Sequence, residues 1–181
     1  MQDRPQNGVN LPRVQMIEER EHASPSQIDA FDHIAASRGG KMIRPYAAML
    51  HRPEIARAAA DLGAVIRFGS QLPDHDRELV IVTTAVERDC AFEWDSHRPL
   101  ATEAGVAEQS LDAIRERSEV DDPDDEAVVG FVRSLCRTGR VDDETFDIMA
   151  NRFGEPGAVE LAAIVGYYSM LAVFMNACDV C

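Results

Sequence analysis

Three reactive side chains crowd one short stretch, ERDCAFEWDSH, Glu87 to His97: Cys90, Glu93 and His97, with the indole of Trp94 among them. Cys90 stands where a Cys-x-x-Cys redox pair would begin, but Glu93 occupies the second cysteine position. On a helix starting near Cys90, steps of three and four residues place positions 90, 93, 94 and 97 on one face. A further carboxylate, Glu78, lies in the preceding segment, which must pack nearby because the connection is short. A thiol, two carboxylates and an imidazole beside an indole can do acid–base chemistry. Burial raises a carboxylate's pKa towards the working range of histidine. The same spacing also fits an ordinary helix, with Glu93 and His97 as a surface ion pair, Trp94 in the core and Cys90 an inert buried thiol. Spacing alone leaves both readings open.

The elements that would carry these residues read as helices. SPSQIDAFDHIAAS opens on Ser24-Pro25, a helix-start pair, and places Ile28, Phe31 and Ile34 at helical spacing before Arg38-Gly39-Gly40. PEIARAAADLGAVIRF repeats the pattern from Pro53. LVIVTTAV, Leu79 to Val86, is β-branched and continuously apolar, so propensity reads it as a buried strand. Asp74 and Asp76 ahead of it, and the absence of a turn signal before Cys90, read it equally as a helix. AFEWDSHRPLATEAG is helical, closes on Gly105 and is expected to kink or restart at Pro99. Ala107–Ser118, Val128–Cys136 and Asp142–Phe153 follow as helices, then a long apolar one after Gly154 and Pro156-Gly157. The acidic run DDPDDE reads as a helix start and solvated loop, since its carboxylates are too sequential to converge on a metal. An all-α protein of about seven or eight helices is expected. Residues 1–22 read as a polar, loosely held arm and 23–181 as one domain.

Composition narrows the partners. With 181 residues and 45% hydrophobic content, the chain can bury one sizeable core. A net charge of −14 and no Lys/Arg cluster argue against nucleic acid and anionic membrane. Leu161 to Cys178 carries no charge, yet Glu160 and Asp179 flank it and two tyrosines interrupt it, so a core or interface helix is expected, not a membrane span. Four cysteines, Cys90, Cys136, Cys178 and Cys181, make no disulfide framework, and the N-terminus lacks an apolar leader, so a reducing cytoplasm is expected. Cys178 and Cys181 form a terminal Cys-x-x-Cys, which supplies only two zinc ligands. No metal site and no cofactor is expected.

Glu78, a twelve-residue step to Cys90, then Glu93-Trp94 and His97, with Leu100-Ala101 and Gly105 after, resembles the carboxymuconolactone decarboxylase/alkylhydroperoxidase D family. LHRPEIA from Leu50, RELVIVTTA from Arg77 and GYYSMLAVFMNA from Gly166 strengthen the likeness. It covers about 45–180, with a signature core at 45–120. The departure is Glu93, where the family has its second cysteine. The resemblance implies a helix for Leu79–Val86, the all-α alkylhydroperoxidase D-like fold, and a trimer or hexamer with sites near subunit contacts. Its decarboxylase branch implies cofactor-independent chemistry on a small lactone or carboxylic acid. His97 would then be general acid or proton shuttle, Glu78 the residue orienting it, and Glu93 a second acid–base group. Trp94, Tyr167 and Tyr168 would line the substrate, with core packing the competing role for the tyrosines. A carboxylate substrate wants a cation, and Arg88 and Arg98 flank the motif. The peroxidase branch implies a thiol-dependent hydroperoxide reductase built on Cys90, resolved from elsewhere because Glu93 cannot form the disulfide. A helical protein that binds a metabolite without catalysis is the third reading.

Overall fold

A computed structural model describes residues 11–180. They form eight α-helices: α1 Ile28–Ala36, α2 Arg44–Met49, α3 Pro53–Phe68, α4 Asp74–Glu87, α5 Ala91–Glu103, α6 Glu108–Arg115, α7 Pro123–Thr138 and α8 Asp143–Cys178. No strand occurs among the described residues, so the all-α expectation holds. Helix α2 is the element that the sequence pattern did not announce: it is six residues long and too short to show a period.

The ambiguous segment becomes α4, and its surroundings explain its composition. This helix packs against α5, α6, α7 and α8, and every residue from Glu78 to Val86 is buried. A helix covered on all sides must be apolar all round, which mimics a buried strand in sequence. Asp74 and Asp76 occupy its first turn, where the helix dipole favours negative charge. Thr83 and Thr84 donate their hydroxyls to Leu79 O and Val80 O, so neither hydroxyl is stranded in the core. Truncating fully buried Ile81 to Ala would cost about 2–5 kcal/mol.

A tight turn returns the chain. Asp89 adopts a left-handed conformation (φ 51°), and Cys90 N donates to Ala85 O. Helix α5 therefore folds straight back along α4 and brings Glu78 alongside His97. Pro99 lies inside α5 without ending it; helix geometry continues to Glu103, and Gly105 closes it at φ +93°. The acidic run starts α7, with Asp122 accepting from Asp124 N and Asp125 N. The two C-terminal helices run on as one element, bent at Gly154 (φ 73°, ψ 166°) just before Pro156. Helix α8 is long and apolar enough to cross a membrane, but half of its apolar stretch is buried within the protein, as in a core helix.

The N-terminal segment differs from its expectation. Its first ten residues lie outside the described ones, but the rest is not loosely held. Arg13 N donates to Cys178 O, the Arg13 side chain pairs with Asp179, and Ile17 is buried with its N–H on Ala47 O. Ile17 in the core, Val14 and Met16 packed against a second apolar cluster, and the Arg13 contacts pin a segment whose average composition reads as a tail.

Candidate active site

The face of α5 that carries Glu93, Ser96 and His97 forms one wall of a cavity of about 330 Å³. The opposite walls come from Arg67 and Phe68 at the end of α3, Tyr46 on α2, and Tyr167, Tyr168 and Leu171 on α8. Gly63 lets these elements meet: a Cβ there would run into the hydroxyls of Tyr167 and Tyr46. Those hydroxyls are 2.6 Å apart, and Arg38 donates to Tyr46 Oη at 2.8 Å while stacking on its ring.

His97 is the hub, with 3% of its surface exposed. Its Nδ1 lies 2.7 Å from Glu78 Oε2. Its Nε2 lies 3.3 Å from Tyr168 Oη and 3.6 Å from Glu93 Oε2. With Nδ1–H donated to Glu78, the Nε2 lone pair faces the cavity and accepts from Tyr168. Arg77 Nη2 donates to the other Glu78 oxygen at 3.3 Å.

Electrostatics separates the two carboxylates. Burial raises the Glu93 pKa to about 7, against a smaller opposing pull from the Arg67 charge. Burial also opposes ionisation of Glu78, but the hydrogen bond and charge of His97, with Arg77, outweigh it and hold Glu78 below its ordinary value. Burial lowers the His97 pKa, with Glu78 pulling the other way. Burial and the nearby Glu93 charge keep the Tyr168 phenol protonated. At neutral pH the site thus holds a carboxylate, an imidazole, and a carboxyl group poised near its midpoint. This graded set can take up or release a proton at His97 Nε2.

The structure brings together Glu78, Glu93, His97, Tyr167 and Tyr168. It does not bring Cys90 or Trp94 to the cavity wall. Cys90 is the extended N-cap of α5 (φ −104°, ψ 95°), so it is off the helical face that position counting assigned to it. It packs with Ala48, Ala172, Met175 and Val180. Trp94 is one position, about 100°, round the helix from Glu93. It enters the core beneath the Arg115 guanidinium, 5.0 Å from the ring centroid. Cys178 is half-buried against the Cys90 cluster, and Cys181 lies outside the described residues. The flanking cations also fall elsewhere: Arg88 donates to Ser169 Oγ and Arg98 to Glu108. Arg38 and Arg67 supply the cavity's positive charge instead. Arg67 makes no ion pair among the described residues. The only signal for it in sequence was a cation in the last turn of an otherwise apolar helix, which also reads as a dipole partner. Among the described residues no three His, Cys, Asp or Glu side chains gather as a metal cage.

Comparisons with known proteins agree with this architecture. Residues 53–129 match the Carboxymuconolactone decarboxylase family. No curated protein matches by sequence. Among solved structures, the apo debrominase Bmp8 is similar at TM-score 0.69 and 20% identity, covering 98% of this chain and 93% of that one. A variant of the same debrominase in complex with 2,3,4-tribromopyrrole gives 0.70 at 19% identity, over 94% and 92%. The alkylhydroperoxidase AhpD core of an uncharacterized peroxidase-related protein from Ralstonia eutropha JMP134 gives 0.73 at 17%, over 94% and 91%. At such identities the likeness is one of fold.

Proposed function

From its membership, through residues 53–129, in the carboxymuconolactone decarboxylase family with an alkylhydroperoxidase D-like fold, we propose that this chain is an acid–base enzyme. It acts on a small lactone or carboxylic acid by decarboxylation or proton transfer, without an organic cofactor. The observation that carries the proposal is the Glu78–His97–Glu93 line, two carboxylates bracketing one imidazole at the wall of a cavity. His97 transfers the proton at Nε2, Glu78 holds the ring and its charge, and Glu93 is the second proton donor. Phe68, Phe92, Tyr46, Tyr167 and Tyr168 supply the walls, and Arg67 and Arg38 attract an anionic substrate.

Thiol peroxidase chemistry on the same fold would act through Cys90, whose side chain packs in a different apolar cluster. That geometry favours the acid–base reading. A carboxylated muconolactone is the first substrate to offer, with carbon dioxide release and ring absorbance as readouts. If His97 is the general acid, His97→Gln lowers turnover on the order of a hundredfold. Unchanged turnover removes His97 from that role.

The proposal includes self-association. Helix α3 exposes Ile55, Leu62, Val65 and Phe68, and α8 exposes Val159, Met170 and Val173. Apolar faces of this kind mark contact surfaces, and a homo-oligomer would cover them next to the cavity, since Phe68 belongs to both. Light scattering at micromolar concentration tests this; a monomer mass refutes it.

A further inference from the structure

The two ends of the Glu78–His97 hydrogen bond face different spaces. His97 and Glu93 line the aromatic cavity, and Glu78 does not. Glu78 lines a second cleft, of about 420 Å³, formed with Asp74, Arg77, Leu100, Glu103 and Ala104. Arg67 borders both spaces and stands in the wall between them. One carboxylate oxygen, Oε2, meets His97 at 2.7 Å. The other, Oε1, meets Arg77, which Asp74 holds at 2.7 Å beside the exposed rim. Asp74 and Glu103 are exposed, so the cleft opens to water.

We propose that the second cleft is the solvent-side proton port of the site, and that the Glu78–His97 pair carries protons through the wall. The proposal rests on the acid–base reading above. At rest Nδ1–H donates to the Glu78 carboxylate and the Nε2 lone pair faces the cavity. When a substrate C–H or O–H bond breaks and its proton bonds to Nε2, the Nδ1–H bond breaks and that proton bonds to Glu78 Oε2, which releases it to water in the second cleft. Delivery to the product runs the same bonds in reverse: water protonates Glu78, Oε2 returns a proton to Nδ1, and Nε2 gives its proton to the substrate, which restores the resting arrangement. Nothing is oxidised or reduced, and one proton enters through the port for each one that left.

The geometry supplies the reason for a separate port. A ring-sized ligand in the first cavity displaces water from an aromatic-walled space, so His97 Nε2 then has no aqueous source on that side. The other polar chain from the cavity, Tyr167 to Tyr46 to Arg38, ends on an arginine that lines the same cavity. It cannot supply protons from elsewhere, because guanidinium does not deprotonate in this range.

The test uses the full chain labelled with ¹⁵N-histidine and follows exchange of the His97 Nδ1–H proton with water by NMR. Ala104→Leu narrows the second cleft; Ser96→Leu narrows the first. The port predicts that Ala104→Leu slows exchange by about tenfold or more, while Ser96→Leu changes it less than about twofold. Leu100→Phe narrows the same cleft from another position and must reproduce the slowing, which guards against a misfolded Ala104 variant. Unchanged exchange in the folded second-cleft variants, or equal or greater slowing by Ser96→Leu, overturns the proposal. The readout needs no substrate. A protein that turns over no lactone yet shows the slowing refutes the enzyme reading alone, and active protein without the slowing refutes the port alone.

Discussion

Two buried carboxylates sit two residues apart, on nearly opposite sides of the same helix, and only one belongs to a reactive site. Asp76 and Glu78 are both under 5% exposed, and each has a histidine near it. Asp76 is bound by Arg152 at 2.7 Å, beside Asp125, which takes the Ser110 hydroxyl at 2.8 Å and faces His75 at 3.5 Å. That cluster clasps α4, α6, α7 and α8 together, and neither Asp76 nor Asp125 lines the aromatic cavity or the second cleft. Glu78 has a hydrogen-bonded histidine whose second nitrogen looks into an open space. Burial strains both carboxylates: it raises the Asp76 pKa against Arg152, whereas at Glu78 the histidine wins. The difference lies in what the partner can do next. A guanidinium holds a charge in place, while an imidazole passes a proton on.

The comparison breaks most visibly at Arg152. Arg152→Leu leaves Asp76 buried without its cation and should cost about 3 kcal/mol of stability, the low end for a buried pair because Arg152 is partly exposed. Urea unfolding measures it; a loss below about 1 kcal/mol would mean that the cluster is not a clasp. The two histidines give a paired test at the next size. His97→Gln should lower lactone turnover on the order of a hundredfold, with His75→Gln within about twofold. Equal losses in both would erase the distinction between clasp and site.

Glu93 adds a pH test. Its pKa is raised from 4.5 to about 7 in the folded chain. Between those values the unfolded chain has lost this proton and the folded chain keeps it, so this group's contribution to stability falls as pH rises through the window. It is complete below about 4.5 and levels off above about 7. Glu93→Gln should remove that slope, and thermal melts from pH 4 to 8 would reveal a slope that persists. If Glu93 donates a proton in turnover, activity declines above about pH 7 in the parent and loses that limb in the variant. The smallest effect belongs to Cys90. It packs away from the cavity, so Cys90→Ser should change lactone turnover less than about threefold. Hydroperoxide consumption with a dithiol reductant, present in the parent and lost in this variant, would instead move the chemistry to the thiol.

Much of this was legible in the residues. Helical spacing, Pro starts and Gly stops mark most of the helices, because those signals are local: a missing N–H or a left-handed φ acts within a turn. The pairing of Glu78 with His97 was also legible, since a short connection between two segments forces them side by side. Three things were not. The strand-like Leu79–Val86 is a helix because its neighbours cover it on every side, which no local window contains. Cys90 and Trp94 leave the cavity because the turn at Asp89 holds Cys90 extended and aims Trp94 at the core, an angle that counting by threes and fours does not resolve. The cavity's cations are Arg38 and Arg67, on segments distant in sequence from the motif, and the arginines beside the motif are engaged elsewhere.

The sequence by itself determined which chemistry is available: a carboxylate, an imidazole and a second carboxylate on two consecutive helices, in an acidic all-α chain. Only the tertiary structure decided which of those groups share a space, which are desolvated and so shifted in pKa, and that Glu78 and His97 open onto opposite sides of one wall. Side-chain identity and helical period are properties of neighbours along the chain, whereas burial, field and cavity arise from residues brought together by packing.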